Sequence, residues 1–352
     1  MAFLVLLCLQ SAFHFIPQTP LAGAEYVPPA ESLSWQAWSS GEWQENAEQR
    51  SRKNFGFRPA LVRCVNQLRY SLFDEHNDYI TYGSDGTLFE TAYRASICGE
   101  DYIGDAEIER TLDSLDKFRN DLLAQGKKLV LLIAPNKWRT LSNKVEVNCK
   151  NKPTNYESFI QPLRNRGYAI CDAIDQFRYD QEQGPTYPLH SRQGTHWSVF
   201  GAALSADYLR FAFAEEGLNL PKVRIDSLEV TDQPRYTDKD LHDLLNIMFG
   251  PDDETLAYPR MAFPGGDKPN VVVIGDSYYW TYYYLGIHQG LFDPESKFFY
   301  YNRTLVQDEP KQRIPLTDEL RRSAIAEADA VLLVMGEPSL AHLGFGILGL
   351  EN

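Results

Sequence analysis

The sequence predicts an α/β fold around a mostly parallel sheet. Near-continuous apolar strands alternate with amphipathic helices, and Gly or Pro closes most of these segments. The pattern is clearest from residue 107 onward. Ile108, Leu112, Leu115, Phe118 and Leu122 recur at steps of three and four, which predicts a helix over 107–123 that stops at Gly126. Lys128 to Ala134 is then a continuous apolar strand ended by Pro135. A helix near 155–166 closed by Gly167, a strand at 168–171 and a helix at 197–216 closed by Gly217 continue the rhythm. Residues 218–265 break it and read as a loop-rich insertion with a short helix near 238–249. Strands resume at 271–274, 297–301 and 330–335, with helices near 278–290 and 317–327 between and beside them. Ahead of this domain, 41–73 reads as amphipathic helix and 78–92 as a hairpin around Ser84-Asp85-Gly86. The expected division is therefore a leader over 1–24, an extension over 25–100 packed on the main domain, and the main domain over 101–352.

Composition narrows the function. The 352 residues carry a formal charge of −14, with no basic stripe, which excludes a nucleic-acid surface of the usual kind. No metal-ligand spacing, Walker loop or dinucleotide fingerprint occurs, so neither a metal nor a cofactor is expected. Phe3 to Ile16 is almost wholly apolar and leads to Ala22-Gly23-Ala24, as in an export signal with a small-residue cleavage site. No Lys or Arg precedes Arg50, so the positive flank of a signal is missing; an uncleaved anchor or a buried helix are the other readings. The apolar run as written is short for a bilayer span. Export would permit disulfides, and Cys64, Cys98, Cys149 and Cys171 form an even set with three possible pairings.

Two short motifs carry chemistry. Val-Val-Val-Ile-Gly-Asp-Ser at 271–277 places Ser277 on a tight turn from strand to helix, where free backbone N–H groups can receive negative charge. Gly-Thr-His-Trp-Ser at 194–198 supplies, in His196, the base that a serine nucleophile needs. Taken alone, each motif is also compatible with an ordinary helix cap or with packing. In parallel sheets ligands bind beyond the carboxyl ends of the strands. That rule gathers Asn136, Lys137, Ser277, Asn302, Arg303 and Glu337, of which Lys137 and Glu337 read as structural partners. The run from Tyr278 to Tyr284 holds too many rings for the core alone. Tyr278, Tyr279 and Trp280, with Trp197, are the candidates to line a cleft, where aromatic faces suit sugar rings.

Together these segments resemble the AlgX/AlgJ family of SGNH-type domains, the bacterial alginate O-acetyltransferases and their relatives. The resemblance rests on an ordered series over roughly 40–340: Asn-Phe-Gly-Phe-Arg at 54–58, Asn-Gln-Leu-Arg-Tyr-Ser-Leu-Phe at 66–73 and Gly-Ser-Asp-Gly-Thr-Leu-Phe at 83–89 come first. Leu-Leu-Ile-Ala-Pro-Asn-Lys at 131–137, Thr-His-Trp at 195–197, Gly-Asp-Ser at 275–277 and Glu-Pro-Ser-Leu at 337–340 follow. It implies a three-layer α/β/α SGNH-hydrolase-like domain in which Ser277 and His196 are catalytic. It further implies an extracytoplasmic location, a polysaccharide acceptor and an acetyl donor supplied by a membrane-bound O-acyltransferase. Arg303 and Asn302 become candidates for the acyl oxygen, because the family places an arginine at about this distance beyond its serine. One departure stands out. The family motif reads Asp-Thr-His-Trp, and its aspartate orients the imidazole; here that position is Gly194. Another carboxylate (Asp172, Asp175, Asp180, Glu182 or Glu337), a backbone carbonyl, or a weakened site are the alternatives. A carbohydrate acetylesterase and a polysaccharide-binding scaffold are the rival functions.

Overall fold

A computed structural model describes residues 2–23, 27–73, 78–150, 152–250, 254–307 and 313–349. The chain falls into two compact units. One comprises Met1–Asn77 with Leu241–Gly250, the other Asp78–Asp240 with Pro251–Asn352. The 80–90 hairpin thus belongs with the sheet, whereas residues 241–250 group with the N-terminal helices.

The first unit is helical: α1 (Ala2–Phe13), α2 (Trp35–Ser40), α3 (Glu42–Asn54) and α4 (Arg58–Leu68). The Ser34 side chain caps α2, and Pro59 occupies the first turn of α4, where its missing N–H costs nothing. Among the described residues no helix is long and apolar enough to cross a membrane. The expected cleavage site ends at Ala24, which lies outside the described residues.

The second unit opens with the hairpin β1 (Ile80–Tyr82) and β2 (Leu88–Glu90), then α5 (Arg94–Ile97) and α6 (Asp105–Ala124). It continues through β3 (Lys128–Ala134), α7 (Lys137–Thr140), α8 (Asn155–Asn165), β4 (Ala169–Asp172), α9 (Ala173–Gln183) and α10 (Val199–Glu215). The insertion follows as β5 (Arg224–Thr231) and β6 (Leu256–Ala262); between them in sequence runs α11 (Asp240–Leu245), whose residues from Leu241 onward group with the first unit. Then come β7 (Val271–Gly275), α12 (Tyr279–Tyr284), α13 (Ile287–Leu291), β8 (Lys297–Tyr300), β9 (Thr304–Val306), β10 (Arg313–Pro315), α14 (Asp318–Glu327) and β11 (Ala330–Gly336).

Seven strands form one sheet in the order β10-β9-β8-β7-β11-β3-β4. The five strands from β8 to β4 are parallel, and β9 and β10 add an antiparallel edge. Period-two alternation decides which face each residue serves. Val130, Leu132, Val271, Val273, Leu332 and Val334 pack with α9, α10 and α12. Their neighbours Leu131, Ile133, Val272, Ile274, Leu333 and Met335 pack with α6, α8 and α14. A sheet clothed on both faces is the expected three-layer α/β/α arrangement.

Several local expectations need correction. Residues 218–265 contain a two-stranded antiparallel ribbon, β5 with β6, in addition to the short helix. The mostly exposed outer faces of β5 hide it from a hydrophobicity scan. The helix expected over 278–290 is two, broken at Gly286, whose φ of 68° no ordinary residue adopts comfortably. Among the described residues one cysteine pair forms, Cys98–Cys149. Cys64 is exposed and Cys171 is buried, and both are free.

Candidate active site

Ser277 lies just past β7, at the carboxyl end of the sheet. Asp276 fixes the turn: its Oδ1 accepts the Tyr278 N–H at 3.0 Å. Its Oδ2 accepts the Gly336 N–H and the Ser339 hydroxyl, both at 2.7 Å, which ties the turn to the end of β11. Burial raises the Asp276 pKa, and these donors together with His196 oppose the rise. The Tyr279 N–H also bonds back to the Asp276 carbonyl. Among the described residues the Ser277 N–H has no hydrogen-bond acceptor.

His196 arrives from the segment before α10. Ser198 caps that helix, accepting the Gly201 N–H at 2.9 Å and donating to the Pro188 carbonyl at 2.6 Å. The imidazole Nε2 lies 2.8 Å from Ser277 Oγ. Its Nδ1 lies 2.5 Å from Oδ2 of Asp240, and the other oxygen of that carboxylate accepts the Thr195 N–H at 2.8 Å. The three side chains thus form a serine–histidine–aspartate relay, with Nδ1 donating to the carboxylate and Nε2 facing the Ser277 hydroxyl. Tyr278 packs edge-on against the imidazole at 4.7 Å. Burial alone would depress the His196 pKa, but Asp240, helped by Asp276 and Glu90, raises it above the usual histidine value.

Asp240 comes from outside the motif, and the carboxylates considered from sequence are engaged elsewhere. Asp172 caps α9 and bonds Tyr156 and Arg164. Asp175 pairs with Arg178, and Asp180 accepts from Tyr208. Glu337 pairs with Arg139 at 2.5 Å. Glu182 likewise takes no part in the relay. Gly194 explains the displacement sterically. A Cβ there would lie 2.1 Å from the Thr237 carbonyl oxygen and 2.9 Å from Ser191 Oγ. The turn over Tyr236–Lys239 that delivers Asp240 occupies the space of a side chain at 194. We therefore expect Gly194→Asp, which would restore the family's motif, to destabilise the protein by about 2–3 kcal/mol. It should also reduce activity, as chemical denaturation and ester hydrolysis would show.

Lys137, 1% exposed, pins the histidine segment from below. Its Nζ donates to the Gly194 carbonyl at 2.6 Å and to the Arg192 carbonyl at 3.1 Å. Burial pulls its pKa down to about 7, against the pull of Asp240, Glu254, Asp238 and Asp85. Because the ordinary value is 10.5, the unfolded chain holds a proton that the folded one lacks between about pH 7 and 10.5. Raising pH through that window therefore favours folding, by at most about 1.4 kcal/mol per pH unit. Lys137→Met should remove this slope from the pH dependence of urea unfolding.

The remaining candidates separate. The Asn302 side chain is engaged elsewhere: its amide nitrogen donates to the Phe345 carbonyl and its oxygen accepts from Arg321. Arg303 lies in the turn between β8 and β9, exposed to solvent. Trp197 is fully buried and stacks on Tyr282, with ring centroids 5.4 Å apart and planes 9° apart. Tyr278, Tyr279 and Trp280 are buried as well. These four aromatics therefore serve the core and the histidine rather than an open cleft. Two residues not foreseen take the position at the serine. Burial holds the Tyr93 and Tyr301 phenols above their usual pKa, and both lie close enough to Ser277 for its side chain to oppose that rise. Tyr301 sits there in the left-handed region, at φ 50°. Glu90 also faces the histidine; burial raises its pKa, while His196 and Thr195 favour its charged form.

Residues 80–286, more than half of the chain, match the family described as "SGNH hydrolase-like domain, acetyltransferase AlgX". The chain belongs to this family. It is accordingly an acyltransferase of the SGNH type. No curated protein matches it in sequence. Among solved structures it is similar to the O-acetyltransferase domain of Pseudomonas putida AlgJ, at 19% identity and a TM-score of 0.48, covering 74% of this chain and 92% of that one. Pseudomonas aeruginosa AlgX aligns at 15% identity and 0.47, covering 81% and 70%. Bacillus cereus PatB1 aligns at 12% and 0.48, covering 75% and 97%. In this AlgX-family member the family's motif aspartate is absent, and Asp240 stands where its carboxylate would act.

Proposed function

We propose that this chain is an exported O-acetyltransferase that passes an acetyl group through a serine acyl-enzyme to a polysaccharide hydroxyl. The observation that carries the reading is the closed relay Asp240–His196–Ser277 at the carboxyl end of a parallel sheet. His196 Nε2 takes the Ser277 proton as Oγ attacks the donor's acyl carbon. The oxyanion is met by the Ser277 N–H and by the Tyr93 and Tyr301 hydroxyls. This gives the two tyrosines the role that sequence reading assigned to Arg303 and Asn302. The acyl bond to the donor breaks, and the proton on His196 goes to the leaving group. A sugar hydroxyl then gives its proton to His196 and attacks the acyl-enzyme. The bond to Oγ breaks, and His196 returns the proton to Ser277.

Export is supported by the apolar leader and by the Cys98–Cys149 pair, a linkage that persists in oxidising compartments. A membrane-bound O-acyltransferase would be the source of the acetyl group. A closed relay weighs against the scaffold reading, in which Gly194 marks a decayed site. Incubation with an activated acetyl ester and an oligosaccharide tests the rest. Acetylated sugar supports transfer; free acetate alone, at the same rate with and without sugar, identifies an esterase instead.

A further inference from the structure

Beyond the relay, a strip of aromatic rings leads away from the serine. Trp280 and Tyr284 lie one turn apart on α12, the helix that begins just after Ser277. The Tyr284 ring lies near-parallel to Trp280, with centroids 6.0 Å apart and planes 26° apart. Tyr236 continues the strip at 5.7 Å and 18°. At its other end the Arg313 guanidinium lies over both Trp280, at 4.8 Å, and Tyr300, at 4.6 Å. Tyr300 in turn meets Tyr301, the residue beside the serine, at 4.6 Å.

Three properties set this strip apart from core packing. Trp280 is 6% exposed, yet Tyr284 is 42% and Tyr236 is 49% exposed, so the rings rise from a buried support to open solvent. Parallel rings in full face contact stand about 3.5–4 Å apart. Centroids near 6 Å mean that each ring slips sideways past the next and leaves part of its face uncovered. Tyr236 has a φ of 55°, a conformation costly for a bulky residue, and it begins the turn that ends at Asp240. The strip is therefore anchored at one end to the nucleophile's helix and at the other to the turn that supplies the relay's acid.

We propose that Tyr236 and Tyr284, supported by Trp280, form a stacking platform for pyranose rings of the acceptor, leading a polysaccharide strand to Ser277. The platform deepens the polysaccharide-acceptor reading and rests on it. Partly open aromatic faces match the apolar C–H face of a pyranose.

The test measures binding without chemistry. Calorimetric titration of the full-length protein uses three soluble hexamers: cello-hexaose, chito-hexaose and a hexauronate. The neutral and acidic arms distinguish the sugar classes that share the C–H face. At least one hexamer is expected to bind the unaltered protein. Tyr284→Ala and Tyr236→Ala should each weaken that binding about three- to tenfold. Tyr284→Phe, which keeps the ring, should stay within about twofold, and thermal unfolding checks that each variant folds. Binding of none of the hexamers, or equal affinity in both alanine variants, overturns the platform. Labelling of Ser277 by a fluorophosphonate, done without sugar, is separate. If Ser277 is not labelled the acyl-enzyme reading fails, whatever the titration shows.

Discussion

Replacing Asp240 with Asn should lower kcat for acetyl transfer by about three to four orders of magnitude, with the fold intact. The amide cannot stabilise the imidazolium that forms when Ser277 is deprotonated. It can also donate to Nδ1 and so place the histidine proton on Nε2, where it blocks the base. The pH profile should move as well. In the unaltered protein Asp240 overcomes burial and raises the His196 pKa, so the rate, which needs neutral histidine, climbs at a pH above the usual histidine range. Without the carboxylate, burial acts with less opposition and the climb should shift toward acid. Measuring kcat/KM against pH for both proteins checks the sign. A loss smaller than tenfold would mean that Asp240 only neighbours the histidine, and that Glu90 or a backbone group does its work.

Ser277→Ala should be more severe, about a millionfold in kcat, as expected for a nucleophile whose partners act with it as a unit. The same reasoning predicts that His196→Ala costs a similar factor. The double variant should be no slower than either single one, since neither residue is useful alone. Rates of acetyl release from a chromogenic ester would show this. Additive losses would mean that serine and histidine act in separate steps, contrary to the 2.8 Å contact between them.

Much of this arrangement was legible before any coordinates, for reasons tied to range. The strand ending in Gly275-Asp276-Ser277 and the Thr195-His196-Trp197 motif are local signals: an apolar run, a turn and a cap lie within a few residues. Asp240 had no such signal. It reaches His196 across 44 positions, and its approach depends on a turn in a segment where β5 shows solvent a largely polar face. Only the glycine at 194 marked the gap, and it showed that an acid was missing without showing where it had gone. The helix α9 was missed because just Ala173, Ile174 and Phe177 of its eleven residues are buried, too few for a periodic pattern. The edge strands β9 and β10, three residues each, are too short to alternate. Trp197 and Tyr278, cleft candidates by sequence, are buried, because a sequence cannot tell whether an aromatic ring beside a histidine faces solvent or supports the imidazole from within.

The crowding at Gly194 constrains how such a site can evolve. A carboxylate at 194 and the present path of Thr237 exclude each other, since the incoming Cβ would meet the Thr237 carbonyl. A side chain at 194 therefore displaces the turn, and displacing the turn carries Asp240 away from the histidine. Positions 194 and 240 therefore have to be read together, because the histidine motif alone shows that an acid is missing and not the one that takes its place.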